Sequence, residues 1–297
     1  MSDLWFSPYQ LQSAVALNAL SKNRVFHGAL IRQGSGFGCI HPWPELGDPS
    51  LSECLANPES HLMQRTLACA QADGEAREKN ISLFQHLAVP KSHATLPRPS
   101  HDLVEKALLA GFTVIKIKAN QTLGSHKALF HDFPEVRWRI DFNGSADEAQ
   151  LRADLVEITS KIDFLEDPFP FSQDQWAVFE KTTKTPLAND WAVEGNSSCG
   201  IHVIKPAVND PAPILERPGR KIFTSYMDHP LGQAFAAWQT ALAPQSLKEV
   251  HGLQTHQLFK MNPFIEALGP AKPEFQIPSG PGLGFGDLLE SLDWQKL

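Results

Sequence analysis

Through the middle of the chain, short apolar runs alternate with longer stretches whose apolar residues recur at helical spacing. Ser100 suits an N-cap for a helix that Gly111 ends, and residues 113–118 then read as a strand. Ser145 with Glu148 forms a capping-box pattern, after which Leu151, Leu155 and Ile158 share a helical face. Ser172 with Gln175 repeats that pattern before Trp176 and Phe179. Further strands are predicted at 162–166, 186–190, 201–205 and 222–225, and Pro230 opens an Ala-rich helix reaching Leu242. Such alternation predicts a parallel βα array. Before it, the first ninety-odd residues mix helical and turn signals. Pro42, Pro44, Gly47 and Pro49 crowd one loop, residues 62–72 read as a helix ending before Gly74, and residues 89–100 read as a proline-containing linker.

Composition narrows the picture. With 297 residues and 42% hydrophobic content the chain can build a full core, as about two domains or one barrel with an attachment. A net charge of -7 argues against nucleic acid as the main partner. No run of 18 apolar residues occurs, so no membrane span is expected, and the start Met1-Ser2-Asp3 lacks the pattern of a secretory signal. Four cysteines, Cys39, Cys54, Cys69 and Cys199, show no C-x-x-C spacing, which fits buried thiols in a reducing compartment; cytoplasm is the expected location. Gly34-Ser35-Gly36-Phe37-Gly38 and Gly280-Pro281-Gly282-Leu283-Gly284 open no βαβ unit and read as loops or turns. His41 and His229 read as loop-packing residues, and no zinc pair or nucleophile elbow is present.

The chemistry lies where the strands end. Lys116 and Lys118 share one strand face, as do Arg139, Asp141 and Asn143, while Glu166, Asp190 and Lys205 each close an apolar run. One such charge would be an ordinary solvated edge; five consecutive strands repeating it would not. In a βα barrel these ends converge on one site, collecting Asp141, Glu166 and Asp190 as three hard oxygen ligands suited to Mg2+, with Mn2+ as a substitute. Flanked by Lys116, Lys118 and Lys205, such a centre suits proton abstraction beside a carboxylate. A base lysine must be neutral, so its ordinary pKa of about 10.4 has to fall through burial and a second cation nearby.

At these residues the chain resembles the enolase superfamily, in its muconate-lactonizing-like subgroup, and most closely the o-succinylbenzoate synthases. The matching pieces are Lys-Ile-Lys (116–118), Arg-Ile-Asp-Phe-Asn (139–143), Glu-Asp-Pro (166–168), Asn-Asp (189–190), Ile-Lys-Pro (204–206) and Thr-Ser-Tyr-Met-Asp-His-Pro-Leu-Gly-Gln (224–233). Weaker matches lie at 41–47 and 280–284. The resemblance implies an α/β fold, a modified TIM barrel of (β/α)7β type, with an α+β capping domain built from both chain ends. Residues 1–95 would form the first part of the cap, 96–250 the barrel, and 251–297 the last barrel elements and the return to the cap.

It also implies Mg2+ on Asp141, Glu166 and Asp190, with Lys118 as acid/base. Lys118 would take the proton α to the carboxylate of 2-succinyl-6-hydroxy-2,4-cyclohexadiene-1-carboxylate and return it to the departing hydroxide in a syn elimination. Lys205 would stabilise charge from the opposite ring face, and Arg139 and Lys116 would hold the electrostatics. Asn143 and the 225–228 stretch, Ser225, Tyr226, Met227 and Asp228, would meet the substrate, the amides there receiving its succinyl carboxylate. The partner is thus a small carboxylate; nothing in the chain speaks to oligomeric state. Other chemistries of the same site stay open, namely N-acylamino acid racemisation, dipeptide epimerisation and cycloisomerisation, as does a non-catalytic binding protein on the same barrel.

Two departures from the family pattern stand out. Asp190 is followed by Trp191 and Ala192 where the family reads Asp-Glu-Ser, so support for that ligand must differ. Only 15 residues separate Asp190 from Lys205, against 25 from Asp141 to Glu166 and 24 from Glu166 to Asp190, which predicts an abbreviated or missing helix in that unit.

Overall fold

The computed structural model describes residues 3–17, 22–191, 193, 195 and 199–297. Met1, Ser2 and Ala192, all used in the sequence reading, lie outside the described residues. Near the N-terminus, strands β1 (Leu4–Gln12), β2 (Val25–Gln33) and β3 (Gly36–Ile40) form an antiparallel meander, followed by helices α1 (Leu51–Ala56) and α2 (His61–Glu78). The body is β4 (Ala94–Leu96), α3 (His101–Leu109), β5 (Val114–Lys118), α4 (Lys127–Asp132), β6 (Arg137–Asp141), α5 (Glu148–Ile158), β7 (Ile162–Glu166), α6 (Gln173–Thr183) and β8 (Leu187–Asn189). It continues with β9 (Ile201–Ile204), α7 (Pro211–Leu215), β10 (Arg220–Phe223) and α8 (Pro230–Ala241), then α9 (Pro263–Leu268), α10 (Gly286–Glu290) and β11 (Gln295–Lys296). β11 returns to pair with β1 at Trp5 and Phe6, so both chain ends share one sheet of order β11-β1-β2-β3.

Strands β4 to β10 form a parallel sheet in sequence order. Its circle is closed by two residues. His251 bridges Ser92 ahead of β4, and Gly252 bridges Thr224 after β10, both in parallel sense. The His93 amide donates to the His251 carbonyl at 2.6 Å, and the Gly252 amide to the Phe223 carbonyl at 2.8 Å. This is a (β/α)7β barrel whose eighth strand has shrunk to a pair of bridges. Ile115, Ile117, Trp138, Ile140 and Leu165 point outward into the layer between sheet and helices, packing against Leu151, Leu155, Phe130 and Phe179.

Several local expectations are corrected. Helix α2 does not stop before Gly74 but runs on to Glu78. The glycine serves close approach: a Cβ on Gly36 of β3 would lie 1.8 Å from the Ala70 carbonyl oxygen, and one on Gly74 3.1 Å from the Gly36 nitrogen. Gly34 and Ser35 do make a turn, yet Gly36 to Gly38 belong to β3. The supposed linker contains barrel strand β4. Ser145 caps nothing, its Oγ donating to the Phe142 carbonyl, and Asp147 caps α5 by accepting from the Gln150 amide at 2.8 Å. Ser172 stands at the N-cap of α6 without a side-chain cap bond, and the Gln175 side chain reaches across to Glu148, so neither half of the box forms. Between Asn189 and Ile201 the described residues hold no helix, as the short interval predicts.

The second glycine-rich stretch ties the C-terminal segment to the cap. Buried Asp73 accepts from the Phe37 amide at 2.9 Å, from the Leu283 amide at 2.6 Å and from Arg77 Nε at 2.6 Å. Arg77 in turn donates to the Gly284 carbonyl at 2.7 Å.

Candidate active site

The barrel interior is built in layers, because alternate residues of each strand point inward. The upper layer, at the C-terminal strand ends, holds Thr95, Lys118, Asp141, Glu166, Asp190, Lys205 and Thr224. Two residues earlier in the chain comes the lower layer, His93, Lys116, Arg139, Phe164, Ala188, Val203 and Ile222, the two layers being staggered so that Lys116 pairs with Thr95 and Ala188 with Glu166. Phe164, Ala188, Val203 and Ile222 pack together as an apolar floor with Ile201. The register sets Lys118 beside Asp141 and Asp141 beside Glu166.

Above this floor opens a cleft. It is lined by Lys116, Lys118, Asp141, Asn143, Asp190, Lys205, Ser225, Tyr226 and Met227, nine of the residues singled out from sequence. Lys116 Nζ lies 2.7 Å from both carboxylate oxygens of Glu166 and 3.1 Å from Asp141 Oδ2. Lys118 Nζ stands 3.8 Å from the same Asp141 oxygen, and Lys205 pairs with Asp190. Glu166, at 2% exposure, is reached only through Lys116 and does not line the cleft.

These ion pairs divide the lysines. Burial pulls Lys116 down, but Asp141 and Glu166 outweigh it and leave its pKa raised. Lys205 is raised in the same way, Asp190 and Glu166 overcoming desolvation. In Lys118 burial wins: Asp141 pulls its pKa up, Lys116 and Lys205 push it further down, and the net shift is downward. Of the three, Lys118 is the lysine driven toward the neutral form. On the acidic side, Lys116 and Lys118 hold Asp141 below the usual carboxylate range despite its burial. Burial, reinforced by the charges of Asp141 and Asp190, lifts Glu166.

As they stand, with lysines on the carboxylates, no three His, Cys, Asp or Glu side chains among the described residues converge closely enough to hold a metal ion. The donor chemistry nonetheless fits one. Two hard carboxylates, Asp141 and Asp190, line the cleft, a third, Glu166, is joined to Asp141 through Lys116, and each of the three is already paired with a cation. Among the described residues, two buried polar atoms in the lining find no partner, Asn143 Nδ2 and Thr224 Oγ1. Orphans of this kind in a cleft suit polar atoms of a ligand.

Two further residues singled out from sequence have side chains that do not line the cleft. The Arg139 side chain does not reach the cleft; alternation gave its face but not its depth. At 1% exposure it lies in the lower layer over the Phe164 ring, donating to Asp163 Oδ2 at 2.8 Å and to the Val250 carbonyl at 2.7 Å. Asp228 also turns away, its carboxyl buried against Gly232 in the first turn of α8 with neither oxygen bonded. Burial pushes its pKa up to about 7. The folded state therefore keeps a proton that the unfolded chain releases near pH 4, so this carboxyl erodes stability as pH rises toward 7. With Asp228→Asn, the stability difference from wild type is expected to grow by about 3 kcal/mol between pH 5 and pH 8. Urea unfolding at both values checks this; parallel pH dependences would contradict it.

Other cleft residues carry no signal that sequence reading caught. Thr95 comes from β4 and His93 directly precedes it, both hidden in the supposed linker, and Leu46 reaches in from the cap. Arg139 Nη1 donates to His93 Nδ1 at 3.0 Å, which leaves the ring proton of the neutral histidine on Nε2. Trp191, 57% exposed, stands at the rim 3.5 Å from where a Gly144 Cβ would sit.

Comparison with known proteins matches residues 4–76 to the O-succinylbenzoate synthase N-terminal domain. The entire chain is 28% identical to an o-succinylbenzoate synthase of Bdellovibrio bacteriovorus, covering 99% of that protein. Among solved structures, a muconate lactonizing enzyme from Mycobacterium smegmatis, complexed with muconolactone, superposes with a TM-score of 0.78 at 13% identity over 100% of both chains. An enolase-superfamily member from Roseovarius nubinhibens, complexed with magnesium, gives 0.71 at 16% identity, covering 95% of this chain and 94% of the other. The resemblance read from the motifs is thus met by both sequence comparisons, and the fold is that of enolase-superfamily enzymes, barrel and cap included. Among the described residues no helix is long and apolar enough to cross a membrane.

Proposed function

We propose that this protein is an o-succinylbenzoate synthase, removing water from 2-succinyl-6-hydroxy-2,4-cyclohexadiene-1-carboxylate in menaquinone biosynthesis. The observation that carries the reading is the meeting of Lys118, Asp141, Asp190 and Lys205 around one cleft, with Glu166 joined to them through Lys116. Full-length similarity to a synthase supports the choice of reaction. Asp141, Glu166 and Asp190 would hold Mg2+, or Mn2+ in its place, once Lys116 and Lys205 release them. Bound there, the ion supplies positive charge against the negative charge that develops on the substrate carboxylate.

The chain's own residues perform the proton transfers. Neutral Lys118 takes the proton from the ring carbon bearing the carboxylate. The electron pair left behind forms the new ring double bond as the hydroxyl on the neighbouring carbon departs, and Lys118 returns its proton to that oxygen. Water and the aromatic product result, and the lysine ends neutral. Lys205, kept cationic, stabilises charge from across the cleft. Asn143 Nδ2 and Thr224 Oγ1 are the unsatisfied groups available to substrate oxygens. The four cysteines, all buried and free, fit a reducing cytoplasm.

A second reading, racemisation of N-acyl amino acids, is favoured by one observation: Lys118 and Lys205 both line the cleft from separate strands. Offering the cyclohexadiene and N-succinyl amino acids separately, with Mg2+, decides between them. Ultraviolet detection of the aromatic product is expected at a kcat/KM well above that for racemisation; racemisation without aromatisation would reverse the assignment.

A further inference from the structure

Asp190 stands on a loop that lacks the support its neighbours have, since no helix follows β8 among the described residues. The loop is held from the adjacent turn. The Asp190 amide donates to Asp167 Oδ1 at 3.3 Å and the Trp191 amide to Asp167 Oδ2 at 3.1 Å. Asp167 is itself fixed on both sides: its amide donates to the Ala188 carbonyl at 3.0 Å, and its carbonyl accepts from the Gly144 amide at 2.7 Å. It is 5% exposed, and its φ of 39° lies in the left-handed region, where Asp and Asn are the side chains best tolerated after glycine. One buried residue therefore joins the turns after β6, β7 and β8, its backbone carbonyl taking the first and its carboxyl the last.

We propose that Asp167 is a positioning residue for Asp190, its two oxygens clasping two successive amides and so fixing the third carboxylate, and Trp191 beside it, at the rim of the cleft. This rests on the cation centre proposed at Asp141, Glu166 and Asp190. Two amide donors meet the two oxygens of one side chain. Asp167→Asn removes the charge and keeps one acceptor. Asp167→Gly removes charge and both acceptors while tolerating the left-handed backbone. A role through charge alone would make the two variants equal, whereas a positioning role ranks them.

The test is the Mn2+ dissociation constant of wild type, Asp167→Asn and Asp167→Gly, read by electron paramagnetic resonance, with circular dichroism melts to verify folding. The glycine variant is expected to bind about 10–100-fold more weakly than wild type, and the asparagine variant to fall between them. Equal weakening in both variants, or wild-type affinity in Asp167→Gly, overturns the proposal. Should the glycine variant not fold, Asp167→Glu takes its place, keeping the carboxyl while moving both oxygens off the Asp190 and Trp191 amides: wild-type affinity there overturns the proposal and weakened affinity upholds it. Asp190→Asn is the control: if it binds Mn2+ as wild type does, the cation centre itself is wrong and this role falls with it, a failure distinct from wild-type-like behaviour of the Asp167 variants alone.

Discussion

Lys118→Ala is expected to lower turnover of the cyclohexadiene by about four decades, the upper range for loss of a general acid/base, while Mn2+ binding persists. The reason is local. Lys118 Nζ contacts only one carboxylate oxygen, at 3.8 Å from Asp141, so its removal leaves the Lys116 bridge between Asp141 and Glu166 intact. The same geometry sets the pH response. Burial and the charges of Lys116 and Lys205 lower the Lys118 pKa, and the neutral amine is the active form. In wild type, kcat/KM should therefore rise with pH through a midpoint below the ordinary lysine value of about 10.4. An active alanine variant, or a rate that falls over that limb, would contradict the base assignment.

Asp141→Asn is expected to remove measurable Mn2+ binding and to cost about three decades in kcat/KM, corresponding to roughly 4 kcal/mol of lost charge stabilisation. Asp141 is the carboxylate shared by two lysines, Lys116 at 3.1 Å and Lys118 at 3.8 Å. Neutralising it removes a ligand and, in the same stroke, the chief attraction holding the Lys118 pKa up. Isothermal titration with Mn2+ and the aromatisation rate read the two effects separately. Wild-type affinity in this variant would remove Asp141 from the ligand set.

The barrel was legible because five consecutive apolar strands, β5 to β9, each close on a charged residue at or one position past the strand end, a pattern that survives in a single chain. Residues 113–118, 162–166 and 201–205 coincide with β5, β7 and β9 to within a residue or so. Depth was not legible. Arg139 and Asp141 share a face of β6, yet only barrel closure decides that one tip meets the cleft and the other lies beneath it against Asp163. The cap sheet was also obscured. Pro8 interrupts the apolar pattern of β1, and it is tolerated because β11 pairs only with Trp5 and Phe6, leaving the Pro8 side of the strand without a ladder. Gly28 in β2 reads as a breaker, whereas a Cβ there would sit 2.4 Å from the Tyr9 ring. Strand β4 was masked by Pro90, Pro97 and Pro99 on either side, which hid His93 and Thr95 with it. That the helix after β8 would be abbreviated or missing was readable from spacing alone, and the described residues hold none there; the Asp167 side chain that holds the loop was not readable.

The most direct test is a crystal grown with Mn2+ and measured for anomalous scattering. The account requires one strong peak in the cleft, about 2.0–2.2 Å from an oxygen of each of Asp141, Glu166 and Asp190, with Lys116 withdrawn from Glu166. A cleft without a peak, or a peak bound elsewhere while the lysines keep their carboxylates, would contradict it.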